Sequence, residues 1–204
     1  MPSLLDRLLG DGETEEGVDL EAREDEAHER LRERVDAEAR GIEDCAVTGV
    51  AVVNEGPDDE PVVVPIARFS LGEDVETPDT DRVWELAAEA VRAVAPSFED
   101  VFVRHYDVQF TFDGDELFEA EECRRIAVTP ELADRLRSEA GFERAEFRAA
   151  MDEADDIDDA IAPVVWGDCV DYSRQQNTAV VTGSAAAAAG ASAAAASCAG
   201  AGGC

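Results

Sequence analysis

The sequence predicts an α+β fold: an antiparallel sheet of four to five strands with helices on one face, followed by a disordered Ala/Gly tail. Three observations predict it. Short Val-rich runs bounded by Gly, Pro and Asp alternate with longer segments of helical spacing. A Thr-Pro-acid helix start follows each of two strand pairs, at Thr77-Pro78-Asp79 and Thr129-Pro130-Glu131, so the plan strand-turn-strand-helix occurs twice. All charge lies before residue 175, which separates a charged body from a neutral end. The expected organisation is an N-terminal amphipathic peptide and acidic linker over residues 1–18, a single α+β domain over 19–174, and a low-complexity Ala/Gly/Ser/Cys tail over 175–204.

Leu4, Leu5, Leu8 and Leu9 form a one-sided pattern too short for an independent helix. From Asp19 to Arg40, Leu20, Ala27, Leu31, Val35 and Ala39 follow a helical face, with Glu26/Arg30 and Asp36/Arg40 as (i, i+4) pairs. The stripe is narrow and predicts a helix that lies on a sheet or a second copy rather than in a core. Cys45–Val53 and Pro61–Ser70 read as strands around the turn Asn54–Glu60. Pro65 lacks an amide hydrogen, so the second strand is expected at an edge or bulged there. A helix then starts at Thr77, buries Val83, Ala87, Ala90, Val91 and Val94, and stops at Pro96.

Phe98–Phe112 and Glu116–Val128 read as a hairpin about Asp113-Gly114-Asp115. Alternation assigns Phe102, Tyr106, Val108, Phe110 and Phe112 to the helix-facing side. It puts Val101, Val103, His105, Asp107, Gln109 and Thr111 on the other, read as solvent-facing. Thr129 opens a helix ending at Gly141, and Phe147, Ala150, Met151, Ala154, Ile157 and Ile161 give a last helix closed by Pro163. The acidic run from Asp152 to Asp159 reads as its solvated face, and Val164–Tyr172 as a short strand or extended segment. Gly183–Cys204 holds 12 Ala, 5 Gly, 3 Ser and 2 Cys, with no large side chain to bury or to drive membrane insertion.

The 204 residues carry 49 acidic and 17 basic groups, a formal charge of −32, and every basic residue is Arg. A surface of that sign repels phosphates, so no nucleic-acid partner is expected. The composition resembles that of soluble proteins from extreme halophiles, whose molar salt shrinks the Debye length to about 3 Å and makes such charge tolerable. Without a secretory signal pattern or a membrane span, a cytoplasmic location is the expectation. Five cysteines at irregular wide spacings do not form a secreted disulfide framework.

Phosphate loops, dinucleotide glycine fingerprints, nucleophile elbows and paired-Cys metal motifs are all missing from the sequence. No cofactor is expected. The catalytic candidates are His105, Asp107 and Cys123 in the second strand pair, where a His beside carboxylates would have a raised pKa and act as a base. Arg104 reads as a structural ion-pair residue, with Glu122 as its partner. Trp166 and Tyr172, bracketing a Gly and a Cys, are binding candidates, and Cys198 and Cys204 are candidates for soft-metal binding.

The order of elements is similar to that of small acidic secretion chaperones. The resemblance implies a protein that binds partner segments without an active site, with a homodimer through the Asp19–Arg40 helix or an edge strand as a further expectation. The Ser/Cys/Gly end resembles the core of ribosomally made, modified peptides, which implies a precursor as one alternative. A small enzyme using the His105/Asp107/Cys123 strand face is the other.

Overall fold

The structure, a computed structural model, describes residues 18–56, 60–72, 74–112, 122–158 and 161–166. In chain order its elements are α1 (Leu20–Arg34), α2 (Ala37–Arg40), β1 (Asp44–Glu55), β2 (Pro61–Ser70), α3 (Thr80–Val94), a 3-10 turn (Ala95–Phe98), β3 (Phe102–Val103), β4 (Tyr106–Phe112), β5 (Glu122–Val128), α4 (Pro130–Ser138), α5 (Arg144–Asp152) and β6 (Val164–Trp166). The strands run β1-β2-β4-β5-β6, with β3 adding to β2. The fold is α+β, as the patterning predicts. The sheet is mixed rather than antiparallel, because β2 pairs in parallel with β3 and β4. The 15-residue α3 carries the chain back along the sheet between β2 and β4, the crossover that parallel neighbours require.

One sheet face and the helices share the core. Val63, Ala67, Phe69, Val108, Phe110, Ile126 and Val128 meet Leu31, Leu86, Val91, Phe147 and Met151 there. Phe69 and Phe110 stack across the β2/β4 pair at 5.4 Å, and Trp84 meets Phe147 edge-on at 5.9 Å. The predicted face of α3 is buried, Val83, Ala87, Ala90, Val91 and Val94 included. Its start lies two residues later than expected. Asp79 rather than Thr77 is the cap, accepting from the Arg82 amide at 2.9 Å. Thr129 and Pro130 open α4 as predicted, the Thr129 hydroxyl accepting from the Leu132 amide.

Several boundaries differ for local reasons. The Asp19–Arg40 segment breaks at Val35, which is extended, and Asp36 restarts the chain by capping α2 instead of pairing with Arg40. Arg40 pairs with Glu85. Ala27, Leu31 and Val35 are fully buried, so the narrow stripe belongs to the core after all. The last helix ends at Asp152, well short of Pro163. Ile157 and Ile161 bridge each other in a turn, so most of the acidic run is not on a helix. The Asp113-Gly114-Asp115 turn, Leu4 to Leu9, Tyr172, Cys198 and Cys204 lie outside the described residues.

Pro65 sits in an interior strand. Val62 pairs with Phe102, an offset of 40, whereas Ile66 pairs with Asp107, an offset of 41, so one extra residue enters the neighbouring lane between β3 and β4. The Arg104 amide donates to the Val63 carbonyl and the Leu71 amide to the Thr111 carbonyl, so odd-numbered β2 residues aim their backbone groups at β3 and β4. The amide hydrogen missing at Pro65 therefore falls opposite this bulge, where no ladder bond is due. An extra residue also inverts the alternation upstream of it. Val101 and Val103 turn toward the core and Phe102 turns outward, the reverse of the sequence assignment.

Candidate functional site

The polar side of β4 is buried, not solvated. His105, Asp107, Gln109 and Thr111 are each at most 4% exposed, and Arg125 of β5 is 5% exposed. Register explains their meeting: Arg68 of β2 lies opposite Gln109, and Gln109 opposite Arg125. The Arg68 guanidinium donates to Gln109 Oε1 at 2.8 and 3.2 Å. Gln109 Nε2 donates to Asp107 Oδ2 at 3.0 Å, and Arg125 Nε stands 3.5 Å from Asp107 Oδ1. The result is a polar row across three strands, with a neutral amide and a carboxylate between two guanidinium groups, in which each polar head offsets the desolvation of the next.

His105 occupies the bulge just before β4. Burial, then the cations of Arg125 and Arg104, hold its pKa down to about 3, against a smaller opposing effect of Asp158. This is the reverse of the shift expected from neighbouring carboxylates. A neutral imidazole so weakly basic is a poor proton acceptor near pH 7. Cys123 lies opposite Thr111, whereas Asp107 lies opposite Ala127, four residues along β5. At about 3.4 Å per residue the two positions are roughly 14 Å apart along the strand, far from the roughly 3 Å contact a nucleophile and its base need. His105 and Asp107 are thus neighbours, and Cys123 is remote from both. Arg104 pairs with Asp158 at 2.9 Å, while Glu122 lies opposite Phe112 at the far end of β4. Trp166 is placed by its backbone pairing with Arg124 at the end of β6.

A cavity of about 580 Å³ is lined by Arg34, Arg92, Arg137, Phe142 and Glu143. Its cations are committed. Arg34 and Arg92 both hold Glu89, at 2.5 and 2.9 Å, and Arg92 also reaches Glu143 at 3.2 Å and the Leu136 carbonyl at 3.4 Å. With the carbonyl end of α4 turned into it, the cavity is unfavourable to anions and serves as a clamp joining α1, α3, α4 and the following loop.

A second cavity, about 420 Å³, is different. Phe98, Val101, Phe102, Val103, Tyr106 and Pro130 line it, and Glu99, Asp134 and Arg137 form its polar end. Phe102 is 50% exposed; Val18 is the other exposed large apolar side chain among the described residues. A Cβ at Gly56 would lie 3.7 Å from the Phe102 ring, so one flank of the ring rests there. The Tyr106 phenol on the groove floor has its pKa pushed up to about 12, by burial first and then by Asp134 and Glu99 against Arg137.

Topology shapes this groove. β5 ends at Val128, opposite Tyr106, and Thr129-Pro130 diverts the chain into α4, while the β3–β4 line continues to Phe102. Among the described residues, β3 pairs with β2 on one side and with no strand on the other. Sequence reasoning missed the groove because it placed Phe102 on the buried face. The usable signal was Pro130, which forces β5 to stop short of β3.

Neither family models, curated proteins nor solved structures contain a match to this chain. Among the described residues there is no cluster of His, Cys, Asp or Glu able to hold a metal ion, and no helix long and apolar enough to cross a membrane.

Proposed function

We propose that the protein is a non-enzymatic binding module that takes a segment of another protein into the groove beside β3. The observation that carries this reading is Phe102: an aromatic side chain half exposed on a strand edge that no described strand covers, at the mouth of a groove lined by both apolar and charged side chains. Exposed aromatics in concave surroundings are the commonest energetic anchors of protein interfaces. Burying the exposed half of the ring removes about 100 Å² from water, which at about 25 cal/mol/Å² contributes roughly 2.5 kcal/mol. A homodimer through β1 fits less well, because two register shifts along that strand, between Val47 and Gly49 and between Val52 and Asn54, disturb the edge a second copy would have to pair with.

The enzyme alternative loses support for three reasons: Cys123 lies far along the sheet from His105, the imidazole is held neutral, and Asp107 is committed to Gln109 and Arg125. The test is selection of binders from a displayed peptide library on the full chain, followed by re-testing on Phe102→Asp. Binders that lose at least tenfold in affinity on the variant, while its melting curve stays that of the parent, support the reading. Binders indifferent to position 102 refute it.

A further inference from the structure

Resting on that docking reading, we infer the chemistry of the segment it takes: an extended strand with an apolar side chain against Phe102 and an Arg or Lys one or three residues away, on the strand's other face. The strand form follows from the lane. Beyond Val128 the position beside β3 lies in line with β5, so an incoming chain there extends the sheet and meets β3 with backbone hydrogen bonds. A helix would not fit as well, because α4 begins at Pro130 and its first turns wall the groove on that side.

The cation follows from which charges the groove shows to solvent. Arg137 pairs with Glu99 and with Asp134, yet its side chain is only 24% exposed, against 61% for Glu99 and 74% for Asp134. The guanidinium lies beneath and the carboxylates stand at the rim, so an arriving cation meets accessible oxygens at the polar end of the groove. Arg suits the position best, since its planar fork can contact carboxylates while its stem lies along the Tyr106 and Val103 side of the groove. An acidic residue in the same place would face both carboxylates and the repulsion of a chain of net charge −32.

General attraction of cations to so acidic a surface has to be separated from this specific effect. The experiment uses the full chain and a random ten-residue displayed library, with the leading peptides then synthesised and titrated by fluorescence polarisation at low and molar KCl. Three changes are compared: Phe102→Asp, the rim pair Glu99→Gln with Asp134→Asn, and a control pair, Glu21→Gln with Glu29→Gln, which removes the same charge from exposed positions of α1. The expected result is enrichment of Arg or Lys beside β-branched or aromatic residues. Affinity should fall at least tenfold with Phe102→Asp, three- to tenfold with the rim pair and less than twofold with the control pair, and should also fall when alternate peptide amides are N-methylated. Peptides that depend on Phe102 but are neutral or acidic, or that tolerate N-methylation, overturn this inference and leave the docking reading standing. Absence of any Phe102-dependent peptide overturns both.

Discussion

Replacing Arg125 by Met should destabilise the domain by about 3–5 kcal/mol, because it removes the cation that stands 3.5 Å from the buried Asp107 carboxylate. The magnitude follows from geometry. Arg125 and Asp107 are 6% and 0% exposed in their side chains and stand 3.5 Å apart, which at an effective dielectric constant of about 20 is roughly 5 kcal/mol of attraction. Asp107→Leu should cost a similar amount by orphaning the guanidinium. The double variant replaces both charges with apolar groups of similar size, takes the acceptor from the Gln109 amide, and should cost about 1–2 kcal/mol. The coupling energy is then at least about 4 kcal/mol. Urea unfolding followed by circular dichroism at fixed KCl measures it, and each single variant should lower the midpoint by roughly 1–3 M. Coupling below about 0.5 kcal/mol would refute the buried network, since independent sites behave that way.

Three further outcomes are expected. The folded protein holds His105 neutral down to about pH 3, whereas the unfolded chain binds its proton near pH 6.5, so the His105 contribution is complete above pH 6.5 and is lost as pH falls toward 3. Between pH 6.5 and 5 the loss should be about 2 kcal/mol, and His105→Gln should remove that slope in urea titrations; an unchanged slope places the imidazole in solvent. Pro65→Val, which puts a better strand former into an interior strand, should nevertheless destabilise by about 1–3 kcal/mol, because it adds an amide hydrogen opposite the bulge; a raised melting temperature contradicts that geometry. If molar salt is the native solvent, raising KCl from about 0.1 M to 3 M shortens the Debye length from about 10 Å to below 3 Å and should raise the melting temperature monotonically, and a decrease would refute the adaptation reading of the charge.

What the sequence disclosed depends on how local each determinant is. The bounds of β2, the Thr129-Pro130 start of α4 and the buried stripe of α3 were legible because capping, proline geometry and helical period act within a few residues. Strand direction was not. Two strand pairs in tandem read equally well as hairpins, and only the placement of β4 beside β2 makes α3 a crossover. The polar row was legible as residues but not as a network. Asp107 and Gln109 look like solvent-facing alternation in β4 and join a buried row only when register sets Arg68 and Arg125 on either side of Gln109. In a chain this acidic, every polar position carries the same surface signature, so burial had no compositional marker.

One inserted residue accounts for more of the molecule than any motif does. The extra position between Val103 and Tyr106 takes up the amide that Pro65 lacks, which lets a proline stand in an interior strand. It places His105 in the bulge, beside Arg104 and near Arg125, where desolvation and cations keep the imidazole neutral. By shifting alternation it turns Val101 and Val103 to the core and leaves Phe102 outside, at the one stretch of this line that β5 does not accompany. A regular strand would bury Phe102 and expose two valines, giving a flatter aliphatic edge without an aromatic anchor. The groove at Phe102 and the buried polar row are therefore linked through the same irregularity. A perturbation that slips the register of β4 against β2 by one residue must disturb both, whereas Phe102→Asp touches the groove alone and Arg125→Met the network alone.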